Sequence, residues 1–154
     1  MGVHIEGILA IILVLLPNII CAFLPPTHVP TDLRTTPMIF TVLEQIGRIA
    51  CLTLPLVFGV KIAEQHMNFI VILMGVCILL YYICWIRFFI KDRVYDQLFK
   101  PLGFIPIPMA VFPAFYFIFL GVWIESLVFI LPALLFSIGH LVASWSQYRQ
   151  MNSN

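Results

Sequence analysis

Long apolar stretches dominate this sequence and constrain its fold more than any other feature. They cover residues 5–24, 38–60, 69–90 and 106–145. A helix that crosses a lipid bilayer needs about 20 predominantly apolar residues, and each stretch is long enough. Only 10% of the residues are charged, whereas soluble domains carry about 25%. The chain is therefore predicted to be an all-α protein that folds within a membrane.

The fourth stretch is too long for one crossing, and Trp123, Glu125 and Ser126 interrupt it near its middle. A tight turn there places an aromatic ring and a carboxylate at a membrane interface, whereas a four-helix arrangement would bury Glu125 near the centre of the bilayer. The sequence thus predicts a compact bundle of five transmembrane helices, a single domain of residues 1–154. The predicted helices cover about residues 5–24, 38–60, 69–90, 106–123 and 127–145.

Cationic residues predict how this bundle is oriented. With five crossings, six lysines and arginines lie near one set of helix ends and Lys61 alone lies near the other. The six are Arg34, Arg87, Lys91, Arg93, Lys100 and Arg149. Lysine and arginine concentrate in cytoplasmic loops. The N-terminus is therefore predicted to lie outside and the C-terminus in the cytoplasm.

Glu44 and Arg48 lie one helical turn apart in the second stretch and are the strongest functional signal in the chain. Ionisable residues at bilayer depth are costly and normally face a protein interior or a water-filled cavity. At a rise of about 1.5 Å per residue, Glu44 lies about 8–9 Å and Arg48 about 14–15 Å from the cytoplasmic end of their helix. Asn18 and His140 lie about 9 Å and 7 Å from the cytoplasmic ends of the first and fifth helices. Tyr81 reaches the same layer, so four helices contribute polar groups to one slab of the inner leaflet.

Helical spacing arranges the polar residues into faces. One face of the second helix carries Thr41, Glu44, Gln45 and Arg48. A face of the fifth helix carries Ser137, His140 and Ser144. Gly139 and Ala143 lie beside this second face and are small enough to allow close helix approach. Both faces are predicted to turn inward, with Asn18 between them.

The resulting functional prediction is a pocket for a small anionic or polar ligand or a lipid headgroup. Its predicted ligand-binding residues are Asn18, Glu44, Gln45, Arg48, Tyr81 and His140. Arg48 would bind an anionic or carbonyl group, since its planar fork suits bidentate recognition. Glu44 would hold Arg48 and exchange a proton, and His140 would carry a proton near neutral pH. Asn18 would orient the ligand, and the pocket would open to the cytoplasm or laterally to lipid, with proton-linked transport as an extension.

Each of these residues also has a purely structural interpretation. Glu44 and Arg48 at i and i+4 can pair with each other and hold helices together. His140 can serve helix packing, and so can Tyr81, Tyr82 and Trp85. Asn18 follows Pro17, which removes a backbone donor and frees a carbonyl, so its side chain can satisfy local backbone. The coincidence of all these groups in one layer favours a functional site over these alternatives.

Two other classes of function stay open. A membrane-embedded enzyme acting on a lipid or prenyl substrate would use His140 or Glu44 as general base and Arg48 on a phosphate. An accessory or immunity-type membrane protein would use the polar network only for structure. Catalytic residues are therefore not assigned. Transport would require a homo-oligomer, since five helices are few for a fold that often uses paired repeats.

No cofactor, metal site or nucleic-acid partner is predicted. The four histidines lie on separate elements, whereas a structural zinc site needs about four ligands together. Nucleotide-binding loops and a GxSxG nucleophile motif are absent from the sequence. The net charge of +1 argues against binding to nucleic acid, which requires a basic face.

Three short segments carry a resemblance to a known group of proteins. They are Leu-Pro-Asn at 16–18, Leu-Glu-Gln-Ile-Gly-Arg at 43–48 and Ile-Gly-His at 138–140. With these segments and the tyrosine pair at 81–82, the chain resembles small integral membrane proteins of Gram-positive bacteria across most of its length. The resemblance implies a bacterial plasma membrane and supplies no activity.

Overall fold

The computed structural model describes residues 5–152, so residues 1–4 and 153–154 of the predicted domain lie outside the described part. That part is all-helical, as predicted, and contains no β-strand beyond isolated backbone bridges. Its helices are α1 (Ile5–Phe23), α2 (Met38–Val57), α3 (Gly59–Glu64), α4 (Phe69–Ile90), α5 (Pro108–Trp123) and α6 (Leu127–Asn152). A short 3-10 helix, Tyr95–Leu98, lies between α4 and α5.

Four of these helices, α1, α2, α4 and α6, are long and apolar enough to cross a membrane. The remaining long helix, α5, has 16 residues, which is about 24 Å at 1.5 Å per residue and less than the ~30 Å hydrocarbon core of a bilayer. Ten of its residues are buried, and it packs between α4 and α6. The chain is thus a helical protein with four candidate spans and an inner apolar helix.

The second predicted helix, residues 38–60, is broken in the structure. α2 ends at Val57 and α3 begins at Gly59, with Phe58 between them. Pro55 lies in the last turn of α2, and proline both lacks a backbone N–H and crowds the preceding turn. The break follows within one turn of this proline.

The last two helices also differ from their predicted bounds. α5 begins at Pro108, since proline is favoured in the first turn, and not at residue 106. α6 continues to Asn152 and not only to residue 145. The added turns of α6 are polar, so apolar length alone did not reveal them. The turn predicted at residues 123–126 separates α5 from α6 in the structure.

The backbones of α2 and α6 lie in direct contact at two glycines. A Cβ atom on Gly47 would lie 2.6 Å from Cα of Phe136. A Cβ atom on Gly139 would lie 2.6 Å from the backbone nitrogen of Glu44. Real Cβ atoms do not approach other atoms this closely, so only glycine fits. The close approach predicted for Gly139 is confirmed, and it brings α6 against the helix turn that carries Glu44.

Hydrogen bonds between loops show which connecting segments lie at the same end of the bundle. The Thr27 N–H donates to the Arg93 carbonyl at 2.8 Å, and the Arg34 N–H donates to Oε1 of Gln150 at 2.6 Å. Residues 24–37, residues 91–107 and the last turns of α6 therefore share one end, called the basic end below. At the opposite end, the indole N–H of Trp123 donates to the His66 carbonyl at 3.1 Å.

Candidate functional site

Glu44 joins α2 to α6 at the centre of the polar cluster. Its side chain is buried, and Oε1 accepts hydrogen bonds from the guanidinium of Arg48 and from Nδ1 of His140, the latter at 2.9 Å. The Arg48 contact is local, because residues i and i+4 are neighbours on a helix surface. The His140 contact is long-range and follows from the close packing of α6 at Gly139. Glu44 therefore pairs with Arg48 on its own helix and also links α2 to α6.

Arg48 retains most of its hydrogen-bonding capacity. A guanidinium carries five N–H donors, and among the described residues Arg48 makes one hydrogen bond, to Glu44. Its side chain is 42% exposed. Glu44 thus anchors the guanidinium from one side while other N–H groups stay available to a ligand.

Asn18 and Tyr81 form a second polar pair that joins α1 to α4. Nδ2 of Asn18 donates to the Tyr81 hydroxyl at 2.8 Å and to the Val14 carbonyl at 2.9 Å. The structural interpretation of Asn18 is therefore correct in part, although the satisfied carbonyl belongs to Val14 and not to the residue freed by Pro17. The Asn18 amide is fixed in position, which orients its oxygen.

A cavity of about 420 Å³ brings these elements together. Asn18, Arg48, Tyr81 and His140, four of the six predicted residues, line it. The lining comes from α1, α2, α4, α5, α6 and the segment before α5. Ligand pockets typically measure about 300–1,000 Å³ and combine apolar walls with a few placed polar groups, and this cavity matches both features.

The other two predicted residues lie differently. Glu44 is absent from the cavity lining and supports Arg48 and His140 from behind. Gln45 is exposed on α2 and is not part of the lining. Glu44 and Gln45 lie at opposite edges of the predicted polar face, and the structure turns the Glu44 edge towards α6 and leaves Gln45 exposed. The structure therefore does not bring Gln45 into the cluster.

Trp85 is a lining residue that the sequence assigned to packing alone. Its ring does pack edge to face against Tyr81, with centroids 6.1 Å apart. Its indole nitrogen Nε1 is buried and makes no hydrogen bond of standard geometry, although the Tyr81 hydroxyl is close enough to interact with it. Trp85 follows Tyr81 by four residues on α4, so helical spacing from a predicted site residue was the signal that could have identified it.

The described part of the chain shows neither a serine activated by His140 nor a cluster of metal ligands. Oγ of Ser137 donates to the Ala133 carbonyl at 2.6 Å, so it is held by its own helix and not by His140. No group of three or more His, Cys, Asp or Glu side chains among residues 5–152 is arranged to hold a metal ion.

Replacing Tyr81 by phenylalanine tests the Asn18 pair. The change removes the hydroxyl that accepts from Asn18, and a typical buried hydrogen bond contributes about 1 kcal/mol. We expect the free energy of unfolding in detergent to fall by about that amount. Tyr82→Phe is the control, because Tyr82 makes no side-chain hydrogen bond among the described residues. Equal effects of the two changes would contradict the role given to Tyr81.

The fold and cavity define an all-helical membrane protein with a polar site between its helices. No family model, curated protein or solved structure matches the chain. Its function is therefore inferred from the geometry of its own residues.

Proposed function

We propose that this chain is a five-span protein of the bacterial plasma membrane that binds a small anionic or polar ligand, or a lipid headgroup, in the cavity at Arg48. The N-terminus lies outside and the C-terminus in the cytoplasm. The basic end supports this orientation, because it carries six of the seven lysines and arginines that lie outside the apolar core and such residues concentrate in cytoplasmic loops. The resemblance to small membrane proteins of Gram-positive bacteria supports the compartment.

The observation that carries the proposal is an incompletely paired guanidinium facing a mainly apolar cavity. Glu44 holds Arg48 by one contact, so the remaining N–H groups form a fork for a carboxylate, phosphate or carbonyl. Attraction to an anion is strong at this site, because the surroundings have a low dielectric constant. Asn18 and Tyr81 form the opposite polar wall of the cavity.

Proton-linked transport is the extension of this binding function. Glu44 Oε1 is shared between Arg48 and His140, so a change in the protonation of the imidazole alters the charge beside the bound ligand. A single small bundle lacks the paired structural repeats that are common in transporters. The transport form of the proposal therefore requires a homo-oligomer.

The binding proposal is tested by titrating the purified protein, in uncharged detergent, with inorganic phosphate, acetate and hexadecanoate. Arg48→Met is expected to weaken binding about 10- to 100-fold, since hydrogen bonds to charged groups contribute about 1.5–3 kcal/mol and 1.4 kcal/mol is a factor of ten. Arg149→Met is the matched control, because Arg149 is exposed near the end of α6. Isothermal calorimetry and ligand-induced shifts in melting temperature measure the effect. Equal affinities of the two variants would contradict the proposal.

A membrane-embedded enzyme is the second candidate, and one contact favours it. The Glu44–His140 hydrogen bond orients an imidazole whose other nitrogen is available for proton transfer. On this candidate, His140→Ala abolishes turnover of a lipid or prenyl phosphate while binding persists. If Glu44→Gln, Arg48→Met and His140→Ala instead lower only thermal stability, the polar cluster belongs to a structural or accessory protein.

A further inference from the structure

The cavity is closed by apolar side chains on the side that faces the basic end. Phe99, Ile107 and Ala110 line it there and are each at least nine-tenths buried. Tyr148 and Met151 of α6 pack against the same three residues. Phe99 also lines a separate recess at the basic end, so this cluster stands between the cavity and that end. A soluble ligand approaching from the cytoplasm would have to displace it.

Several of the more accessible lining residues lie on α1 and α2. Asn18 on α1 and Arg48 on α2 both line the cavity, and both are accessible from outside the bundle. α1 and α2 approach closely near the opposite end, where a Cβ on Gly7 would lie 2.9 Å from the carbonyl carbon of Pro55. Lateral access between the two helices is therefore expected in the half of the bundle that holds Arg48, and both helices are candidate membrane spans.

The chemistry of the lining matches an amphiphile better than a small hydrophilic anion. Arg48 and the buried indole N–H of Trp85 supply donors to an acidic head. Leu15, Leu52 and Phe117 supply apolar wall. A polar solute that crosses hydrocarbon to reach this gap loses its hydration and gains no hydrogen bonds in exchange. This desolvation is unfavourable in free energy. A lipid already resident in the bilayer avoids that penalty.

We infer that the ligand is a membrane amphiphile with one acidic head, a carboxylate or phosphate monoester, which enters laterally from the bilayer between α1 and α2. The head binds Arg48 and the Trp85 N–H, and the apolar chain lies along Leu15 and Leu52 and continues into the gap. At about 420 Å³, the cavity is near the small end of the usual range for ligand pockets, which favours a single chain over a two-chain phospholipid. This inference rests on the proposed binding function and adds the ligand class and its route.

The route is tested with the protein in phosphatidylcholine vesicles containing hexadecanoic acid that carries a photoactivatable diazirine on its chain. Intact-mass spectrometry measures labelling, and peptide mapping locates it. We expect saturable labelling on the segments that carry Leu15 and Leu52. Arg48→Gln should reduce the apparent affinity about thirtyfold, which is about 2 kcal/mol at 1.4 kcal/mol per factor of ten. Hexadecyl phosphate should compete with the probe, and hexadecanol should not.

A bulky substitution tests lateral access directly. Leu15→Trp fills the cavity on the side of the gap and should reduce labelling about tenfold. Overpacking an occupied site typically costs about 1–3 kcal/mol, and about 1.4 kcal/mol corresponds to a tenfold change in affinity. Leu16→Trp should change labelling less than about twofold. Leu16 is the matched control because it is exposed on the same helix and does not line the cavity. Leu15→Phe repeats the test if the tryptophan variant fails to fold. A third variant, Trp85→Phe, removes the indole donor and should weaken binding without moving the labelled positions.

The outcomes separate this inference from the proposed function. Labelling that is unaffected by Leu15→Trp and Leu15→Phe, or that hexadecanol reduces as well as hexadecyl phosphate does, overturns the inference. If phosphate or acetate still binds in an Arg48-dependent way, the proposed binding function stands and the ligand is a soluble anion. If neither the probe nor the soluble anions depend on Arg48, both proposals fail.

Discussion

Gly47→Ala is expected to lower the free energy of unfolding in detergent by about 3 kcal/mol, the upper part of the usual range for overpacking. A Cβ at this position would lie 2.6 Å from Cα of Phe136, and the obstructing atoms are backbone. Backbone cannot rotate away as a flexible side chain can, so α2 and α6 must separate. Denaturation by sodium dodecyl sulfate, followed by circular dichroism, measures the loss.

Gly75→Ala is the matched control for this prediction. Gly75 lies within α4, and a Cβ there meets no atom within 4 Å. Alanine is favoured over glycine in a helix interior by roughly 0.5–1 kcal/mol, so this variant should be neutral or slightly more stable. If Gly47→Ala were as stable as Gly75→Ala, the result would contradict the close contact of α2 with α6 at Gly47. The geometry that brings His140 to Glu44 would then fail as well.

Glu44→Leu is expected to have a comparable effect, about 2–3 kcal/mol, because Glu44 is buried and a hydrogen bond to a charged group contributes about 1.5–3 kcal/mol. The Arg48 side chain is 42% exposed, so the cost stays below that of a fully buried ion pair. Arg48 and His140 share the same Glu44 oxygen, and both lose their acceptor in the variant. Glu44→Gln keeps an amide oxygen at this position and should cost less. The same detergent denaturation experiment compares the two variants.

A double variant distinguishes a structural requirement for charge from a functional one. Replacing a buried ion pair by apolar residues of similar size is often neutral or stabilising. Glu44→Leu combined with Arg48→Leu should therefore recover much of the stability lost in Glu44→Leu alone, while binding of anions stays absent. A double variant that is less stable than either single variant would contradict this. The polar cluster would then be needed for folding itself.

The helices could be predicted because lipid imposes strong local rules on a sequence. Backbone groups in hydrocarbon must be satisfied within the segment, so a long apolar run is a helix whatever its neighbours are. α4 was predicted at Phe69–Ile90 for this reason. The break after Val57 was missed because Pro55 is tolerated inside membrane helices. Whether such a proline only kinks the helix or ends it depends on surrounding contacts.

The site was predictable only in its local part. Glu44 and Arg48 are one turn apart, and helix geometry alone makes them neighbours. The contact of Glu44 with His140 joins residues 96 positions apart, and it depends on the α2–α6 contact at Gly47 and Gly139. Trp85 became a site residue only because the tertiary structure places it in the cavity lining beside Tyr81.

By itself, the sequence determined an all-helical chain with apolar stretches long enough for a membrane. It also placed most lysines and arginines at one end and the pair of Glu44 and Arg48 inside an apolar stretch. Those properties follow from apolar length, helical period and charge, which act over a few residues. Only the tertiary structure decided which helices touch, that Glu44 also holds His140, and that residues of five helices line one cavity. The physical reason is that helix contacts in lipid depend on close packing, and a packing fit between distant segments is not encoded in any local pattern.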